Sequence, residues 1–108
     1  MKGRISLPQV VKYCCSNPCR MFGMYPEKGT LLPGTDADLV IIDPAKKHTF
    51  TREDIRGASD YSCYEGMELT GDIELVMLRG HVIVKDRAFS GSRGDGRYLK
   101  RGKSVLAE

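Results

Sequence analysis

The pattern of apolar and polar positions changes along this chain from that of a helix to that of strands. Near the start, Val10, Val11, Cys14 and Cys15 fall at i, i+1, i+4 and i+5, which lays one apolar stripe along a helix. Ser6 precedes the stripe and Gln9 follows three residues later, the spacing of a capping box, with Pro8 in the first turn where its missing N–H costs nothing. The pattern predicts a helix over 7–15. Asn17-Pro18 reads as a second cap with proline at the first helical position, giving a short helix that closes at Gly23 and packs through Met21, Phe22 and Met24.

Further on, the spacing changes to that of strands. Pro26, Gly29, Pro33 and Gly34 punctuate turns around a short Thr30-Leu31-Leu32 segment. Ala37 to Ile42 reads as a strand halted by Asp43-Pro44, and its apolar residues are continuous, as in strands covered on both faces. Lys46 to Phe50 reads as a partner strand, and Thr51-Arg52-Glu53-Asp54 as a single capped helical turn. The polar run from Arg56 to Gly71 predicts a long loop, longer than most connections in compact domains. Ile73–Leu78 and His81–Asp86 then form the strongest hairpin signal, joined at Arg79-Gly80.

Composition narrows the class. The 108 residues suffice for one domain but fall far short of a (β/α)8 barrel of about 250. Hydrophobic content of 41% and charged content of 29% describe an ordinary globular chain rather than a disordered one. The longest apolar run, Leu39 to Ile42, is a strand's length against the roughly 20 residues of a membrane span. Met1 to Leu7 holds two basic residues with no long apolar segment after them, so no secretory leader is predicted and a cytoplasmic setting is expected. Cys14, Cys15, Cys19 and Cys63 lack paired Cys-x-x-Cys spacing, and free, buried thiols are expected.

The order of motifs carries more. Asn17-Pro18-Cys19-Arg20-Met21-Phe22-Gly23 is followed by Lys28-Gly29-Thr30 and by Gly34-Thr35-Asp36-Ala37-Asp38 leading into Leu39-Val40-Ile41-Ile42-Asp43-Pro44. Tyr64-Glu65-Gly66-Met67, Leu78-Arg79-Gly80 and Gly96-Arg97-Tyr98-Leu99-Lys100-Arg101 come after. From Gly3 to Arg101 this series resembles the C-terminal region of metal-dependent amidohydrolases, in the dihydropyrimidinase and hydantoinase branch. The usual Asn-Pro-Ala-Lys is Asn-Pro-Cys-Arg here. The resemblance implies a fold that is mainly β with short N-terminal helices, the C-terminal part of a composite β-sandwich without its (β/α)8 barrel. It divides the chain into end-of-barrel helices (1–25), sandwich strands (26–90) and a basic tail (91–108) that acts as an intersubunit arm anchored by Tyr98 and Leu99. It implies hydrolysis of a ring amide C–N bond at a pair of zinc ions. The family's ligands are a His-x-His pair, a carboxylated lysine, two further histidines and an aspartate, all placed before the matched region.

Against that chemistry the chain offers only His48 and His81, with no His-x-His. Each reads as a structural histidine, since a metal site needs more ligands than these two. Asp36, Asp38 and Asp43 suggest a calcium loop, but Lys47 stands where an EF-hand glutamate would, so the first two are expected to bond turn amides after Gly34 and set the strand entry. Glu65 has no partner that would make it an acid or base. Arg93-Gly94-Asp95 reads as a flexible turn. Arg93 to Lys103 holds five basic residues against one acid, yet a whole-chain charge of +3 with one aromatic in the tail is a poor nucleic-acid platform. No residue of this chain is therefore nominated as catalytic, cofactor-binding or metal-binding, and no cofactor is expected within it. The expectation is a C-terminal fragment, inactive alone, that serves structure and subunit contacts and has the missing barrel of its parent and further copies of itself as partners. The alternative is a self-standing oligomerisation module related to the non-enzymatic dihydropyrimidinase-like proteins.

Overall fold

The structure, a computed structural model, describes residues 4–55 and 57–105. The first residue of the motif series, Gly3, the loop residue Arg56 and the last three residues of the tail lie outside it.

The chain opens with one continuous helical run. Helix α1 (Leu7–Val11) begins as the sequence pattern predicts: Ser6 Oγ accepts from the Gln9 N–H at 3.4 Å, and Gln9 Oε1 accepts from the Ser6 N–H at 2.7 Å. The expected second cap at Asn17 does not form. Instead a π-turn (Lys12–Ser16) runs directly into α2 (Asn17–Met21), and the Asn17 N–H reaches back to the Lys12 carbonyl. The reason lies in Pro18. In a regular helix it would owe an N–H to Cys14 and its ring would press on that carbonyl, and a widened turn just ahead removes both conflicts. Helix α2 ends in a Schellman arrangement. Met24 N–H bonds the Cys19 carbonyl at 2.8 Å and Gly23 N–H bonds the Arg20 carbonyl at 3.3 Å, with Gly23 at φ +69°. The Arg20 guanidinium stacks over Tyr25, 4.5 Å from the ring centroid.

Four strands follow as an antiparallel meander in the order β1-β2-β3-β4: β1 (Leu39–Thr49), β2 (Glu68–Leu78), β3 (His81–Lys85) and β4 (Ala88–Phe89). The hairpin at Arg79-Gly80 forms as expected, with φ +45° and +84°. Both central residues being left-handed matches the twist of the flanking strands. Two other expectations need correction. Asp43-Pro44 does not end the strand, and Lys46 to Phe50 is no separate partner. Asp43 pairs with Asp72 and Lys47 with Thr70, so residues 44–46 bulge out opposite Gly71 and the same strand resumes. Pro44 has no N–H to give a ladder and sits where none is asked for, while the Asp43 carboxylate takes the Ala45 N–H at 2.8 Å. Strand β2 also starts at Glu68, earlier than expected, which shortens the loop. Its tip is the Tyr64-Glu65-Gly66-Met67 motif. Gly66 N–H bonds the Phe50 carbonyl and Phe50 N–H the Met67 carbonyl, both at 2.9 Å, and the Phe50 and Tyr64 rings meet edge to face at 6.4 Å.

Apolar side chains occupy both faces of this sheet. Val40, Val76, Val84 and Phe89 are successive partners across all four strands, and Ile41 and Leu75 form the neighbouring pair that points the other way. Yet among the described residues Gly23 is the only buried one, and no hydrophobic side chain is. Val40 is 56% exposed and Phe89 67%. Burial on both faces, which the continuous apolar run of β1 suggests, is therefore not supplied by the described part of this chain. The expectation of buried thiols fails for the same reason. All four cysteines are free, but Cys14, Cys15 and Cys63 are exposed and Cys19 half-buried.

The tail lies back against the helix end. Gly102 N–H bonds the Gly23 carbonyl at 2.7 Å and Val105 N–H the Arg20 carbonyl at 2.9 Å. A Cβ on Gly23 would overlap the Gly102 carbonyl, and its φ disfavours any side chain. Replacing Gly23 with alanine is expected to cost about 1 kcal/mol or more and to release the tail. Hydrogen exchange would show this as faster exchange of the Gly102 and Val105 amides, and unchanged protection there would count against the docking.

Candidate functional site

Among the described residues, ion pairs gather in two polar clusters. The first lies where the loop after α2 meets the strand entry. A turn at Leu32-Pro33-Gly34-Thr35, with Gly34 at φ +90° and Thr35 N–H on the Leu32 carbonyl at 3.1 Å, reverses the chain so that Asp36 and Asp38 face Lys28. Lys28 Nζ lies 2.7 Å from Asp36 and also bonds Asp38. Burial works against the ammonium, but the two carboxylates outweigh it and hold the Lys28 pKa above its usual value. The bond from Lys28, together with the nearby Arg97 and Arg79, holds Asp36 below the carboxylate range. Asp38 Oδ1 accepts the Arg79 N–H at 2.8 Å and the Ala37 carbonyl accepts the Gly80 N–H at 3.0 Å, so the β2–β3 hairpin turn docks on the start of β1. The Arg79 guanidinium in turn bonds the Asp95 carbonyl. Arg97 reaches Glu27 at 3.1 Å and Asp36 at 3.4 Å across an open depression of about 550 Å³ lined also by Pro26, Leu32 and Pro33.

This corrects the expected role of the aspartates. Asp36 and Asp38 do set the strand entry, but through a lysine and a hairpin amide rather than amides after Gly34. The hairpin turn leaves the Arg79 N–H outside the ladder, and the Asp38 carboxylate answers it. Asp43 stands apart, bonded to its own bulge.

The second cluster was not legible as a unit in the sequence. Asp54, at the end of the 3-10 turn (Arg52–Asp54), accepts the Thr51 N–H at 2.7 Å, contacts His48 Nε2 at 2.8 Å and pairs with the Arg87 guanidinium. Arg87 also reaches Asp72 at 3.4 Å, which Lys46 meets at 3.2 Å. Four parts of the chain are thereby tied: β1, the 3-10 turn that follows it, β2 and the β3–β4 turn. Asp54 is lowered to about 2, first by the Thr51 amide and further by His48 and Arg87 against an opposing effect of burial. Burial would raise Asp72, but Lys46, the Ile73 amide and Arg87 outweigh it and hold it down. The one sequence signal for this cluster was the Thr51–Asp54 capping spacing. Arg87 gave none, because its placement depends on a left-handed turn at Asp86-Arg87 (φ +47° and +65°) built by residues that carry side chains.

The remaining candidates lie apart from these two clusters. His81 opens β3, and the register puts it opposite Leu78 rather than beside His48. Glu65 sits exposed at the loop tip. Arg93-Gly94-Asp95 is a turn, with Asp95 Oδ2 on the Ser92 N–H at 2.6 Å. Among the described residues no group of three or more His, Cys, Asp or Glu stands together to hold a metal ion. The residues present do not fit a binuclear centre. None of the helices described is long and apolar enough to cross a membrane.

Comparison with known proteins resolves what this architecture belongs to, because the profile of the amidohydrolase family matches residues 1–83. The chain belongs to the amidohydrolase family. Within it, the D-hydantoinase of Streptomyces coelicolor is 41% identical over 101 residues, which is 94% of this chain and 22% of that enzyme. Solved structures agree in fold. D-hydantoinase from Bacillus sp. AR9 superposes with a TM-score of 0.91 at 42% identity over 98% of this chain and 23% of that one. Dihydropyrimidinase from Brevibacillus agri NCHU1002 gives 0.88 at 41% identity over 99% and 23%. This amidohydrolase chain thus spans about 22% of the length of the relatives it matches, and it corresponds to a mainly β segment of a hydantoinase or dihydropyrimidinase. The family is generally metal-dependent.

The depressed Asp54 predicts acid sensitivity with a defined sign. A carboxylate whose folded pKa lies below its unfolded value contributes stability above the unfolded value and loses it as pH falls through the folded one. The Asp54 contribution is expected to be complete above its ordinary 3.8 and to vanish as pH drops towards about 2. In Asp54→Asn, stability followed by circular dichroism should be lower at neutral pH and fall less steeply across that window, Asp36 and Asp72 retaining their share. An identical pH profile for the two proteins would show that the Asp54 cluster carries no such load.

Proposed function

We propose that this chain is the non-catalytic, sheet-bearing share of a cyclic-amide hydrolase of the hydantoinase and dihydropyrimidinase kind. In that reading the hydrolysis of a ring C–N bond belongs to the part of the relatives that this chain does not span. Two divalent metals, zinc by family habit, would polarise the amide carbonyl and supply hydroxide there. The carrying observation is the exposure of apolar side chains on both faces of the sheet, Val40, Ile41, Ile42 and Phe89 among them. Soluble monomers rarely leave such contiguous apolar surface in water. A sheet of this kind supports a role as one half of a shared core, completed by the barrel-bearing remainder.

Under this proposal residues 1–25 are the last helices on the barrel side, 26–90 the sandwich strands and 91–108 an arm towards a neighbouring subunit of a homo-oligomer in the cytoplasm. Tyr98 supports the last assignment. It is 88% exposed, although the backbone beyond it is pinned to Gly23 and Arg20.

The test is enzymatic. The purified 108-residue chain, supplied with zinc or manganese, is expected to leave hydantoin and dihydrouracil unhydrolysed. Mixed with a D-hydantoinase lacking the matching segment, it is expected to restore metal-dependent turnover. Hydrolysis by the chain alone would overturn the proposal, and failure to restore activity in a complex that does form would remove its structural half.

A further inference from the structure

Three of the four cysteines lie within six positions of the helical run, and two of them share one helix face. Cys15 and Cys19 stand four residues apart, a spacing that places side chains on neighbouring turns of one helix face with Cβ atoms about 5–6 Å apart. The π-turn (Lys12–Ser16) contains Cys15 and leads straight into α2, which contains Cys19. A wider turn winds through less angle per residue than an α-turn, so it reduces the sideways offset between positions four apart. Cys14, by contrast, is a quarter-turn or so away on the helix circumference, and Cys63 belongs to the loop that pairs with Phe50.

Gly29 approaches this stretch of helix from the Cys19 side. An added Cβ there would lie 2.6 Å from Cys19 Cβ, 2.8 Å from Cys19 Sγ and 2.9 Å from the Cys15 carbonyl. Ser16 Oγ fastens this approach by donating to the Gly29 carbonyl at 3.0 Å. Cys19 Sγ is thus held against a glycine backbone on one side while Cys15 remains open to solvent. Burial raises the Cys19 thiol pKa first, the neighbouring Cys15 raises it further, and Lys28 opposes them. The two thiols thus influence one another as well as being neighbours by spacing, and Lys28 only partly offsets the rise.

We propose that Cys15 and Cys19 form a dithiol site for a soft, thiophilic centre, with trivalent arsenic or a soft metal ion as the class of ligand. Soft thiolates select such ligands over hard cations. With an organic arsenoxide the step balances without redox change. Two S–H bonds break, two As–S bonds form, the arsenic oxygen leaves as water with the two protons, and arsenic stays trivalent. Neither sulfur belongs to the machinery proposed for amide hydrolysis, so this site stands or falls separately from that reading.

The test uses phenylarsine oxide with the reduced full chain and counts thiols by Ellman's reagent. One equivalent is expected to remove two of the four thiols from reaction, and 2,3-dimercaptopropanol should return them. Cys14→Ser and Cys63→Ser should each still lose a pair. Cys15→Ser, at an exposed position where circular dichroism should report an intact fold, and Cys19→Ser should each weaken binding about 100-fold, the usual gain from an intramolecular second ligand. Absence of a protected pair in the parent chain, or a pair that survives in Cys15→Ser or is lost in Cys14→Ser, would overturn the assignment.

Discussion

The carboxylate of Asp38 is where this structure is held in register. One oxygen takes the amide of Arg79 at the hairpin turn and the other takes Lys28 from the loop after the helices. Between them these bonds join the loop after the helices, the start of β1 and the β2–β3 hairpin, and through the Arg79 side chain they extend to Asp95 in the tail. A buried apolar core would normally do this joining. Here hydrophobic burial is incomplete among the described residues, so order between elements rests on hydrogen-bonded charges of high directionality. That makes the segment specific in shape while leaving much of its hydrophobic driving force unspent.

The two ionic clusters divide the work. Around Lys28 the helix side and the tail are tied to the beginning of the sheet. Around Asp54 the far end of β1 is tied to β2 and to the β3–β4 turn. Each spans segments that are remote in sequence, and each includes partly shielded carboxylates whose charged form the surroundings favour. Ion pairs fully open to water contribute little, and these are better placed because backbone amides from Thr51, Ile73 and Arg79 bond the same carboxylates. The sheet's apolar rows meanwhile stay open on both faces among the described residues.

Much of this was readable beforehand where the physics is local. The Ser6–Gln9 box, the Pro33-Gly34 turn, the Thr51–Asp54 turn and the Arg79-Gly80 hairpin each depend on a few adjacent residues, and each formed. The family too was legible, because its motifs are mostly turn and strand-entry residues whose order survives substitution. What escaped was non-local or exceptional. Pro44 reads as a stop because proline breaks a ladder, yet a bulge opposite Gly71 lets the strand pass. Pro18 reads as a helix start because that is where proline is commonest, yet a π-turn lets it sit inside a run. The Asp54–Arg87–Asp72 cluster joins residues whose proximity only the folded sheet decides. Beyond the Thr51–Asp54 spacing, no pattern in the chain could have announced it.

The bulge in β1 has one further consequence. Within this chain β1 is an outer strand, and an outer strand is a template on which other polypeptides can grow as fibrils. Its second half is poorly suited to that: Pro44 offers no donor, the detour at 44–46 breaks the rhythm of exposed amides, and Lys46 and Lys47 carry like charge into any stack of copies. The first half, from Leu39 to Ile42, has no such guard. Misassembly of this segment is thus confined to a stretch of four residues, shorter than the six or seven that build a steric zipper.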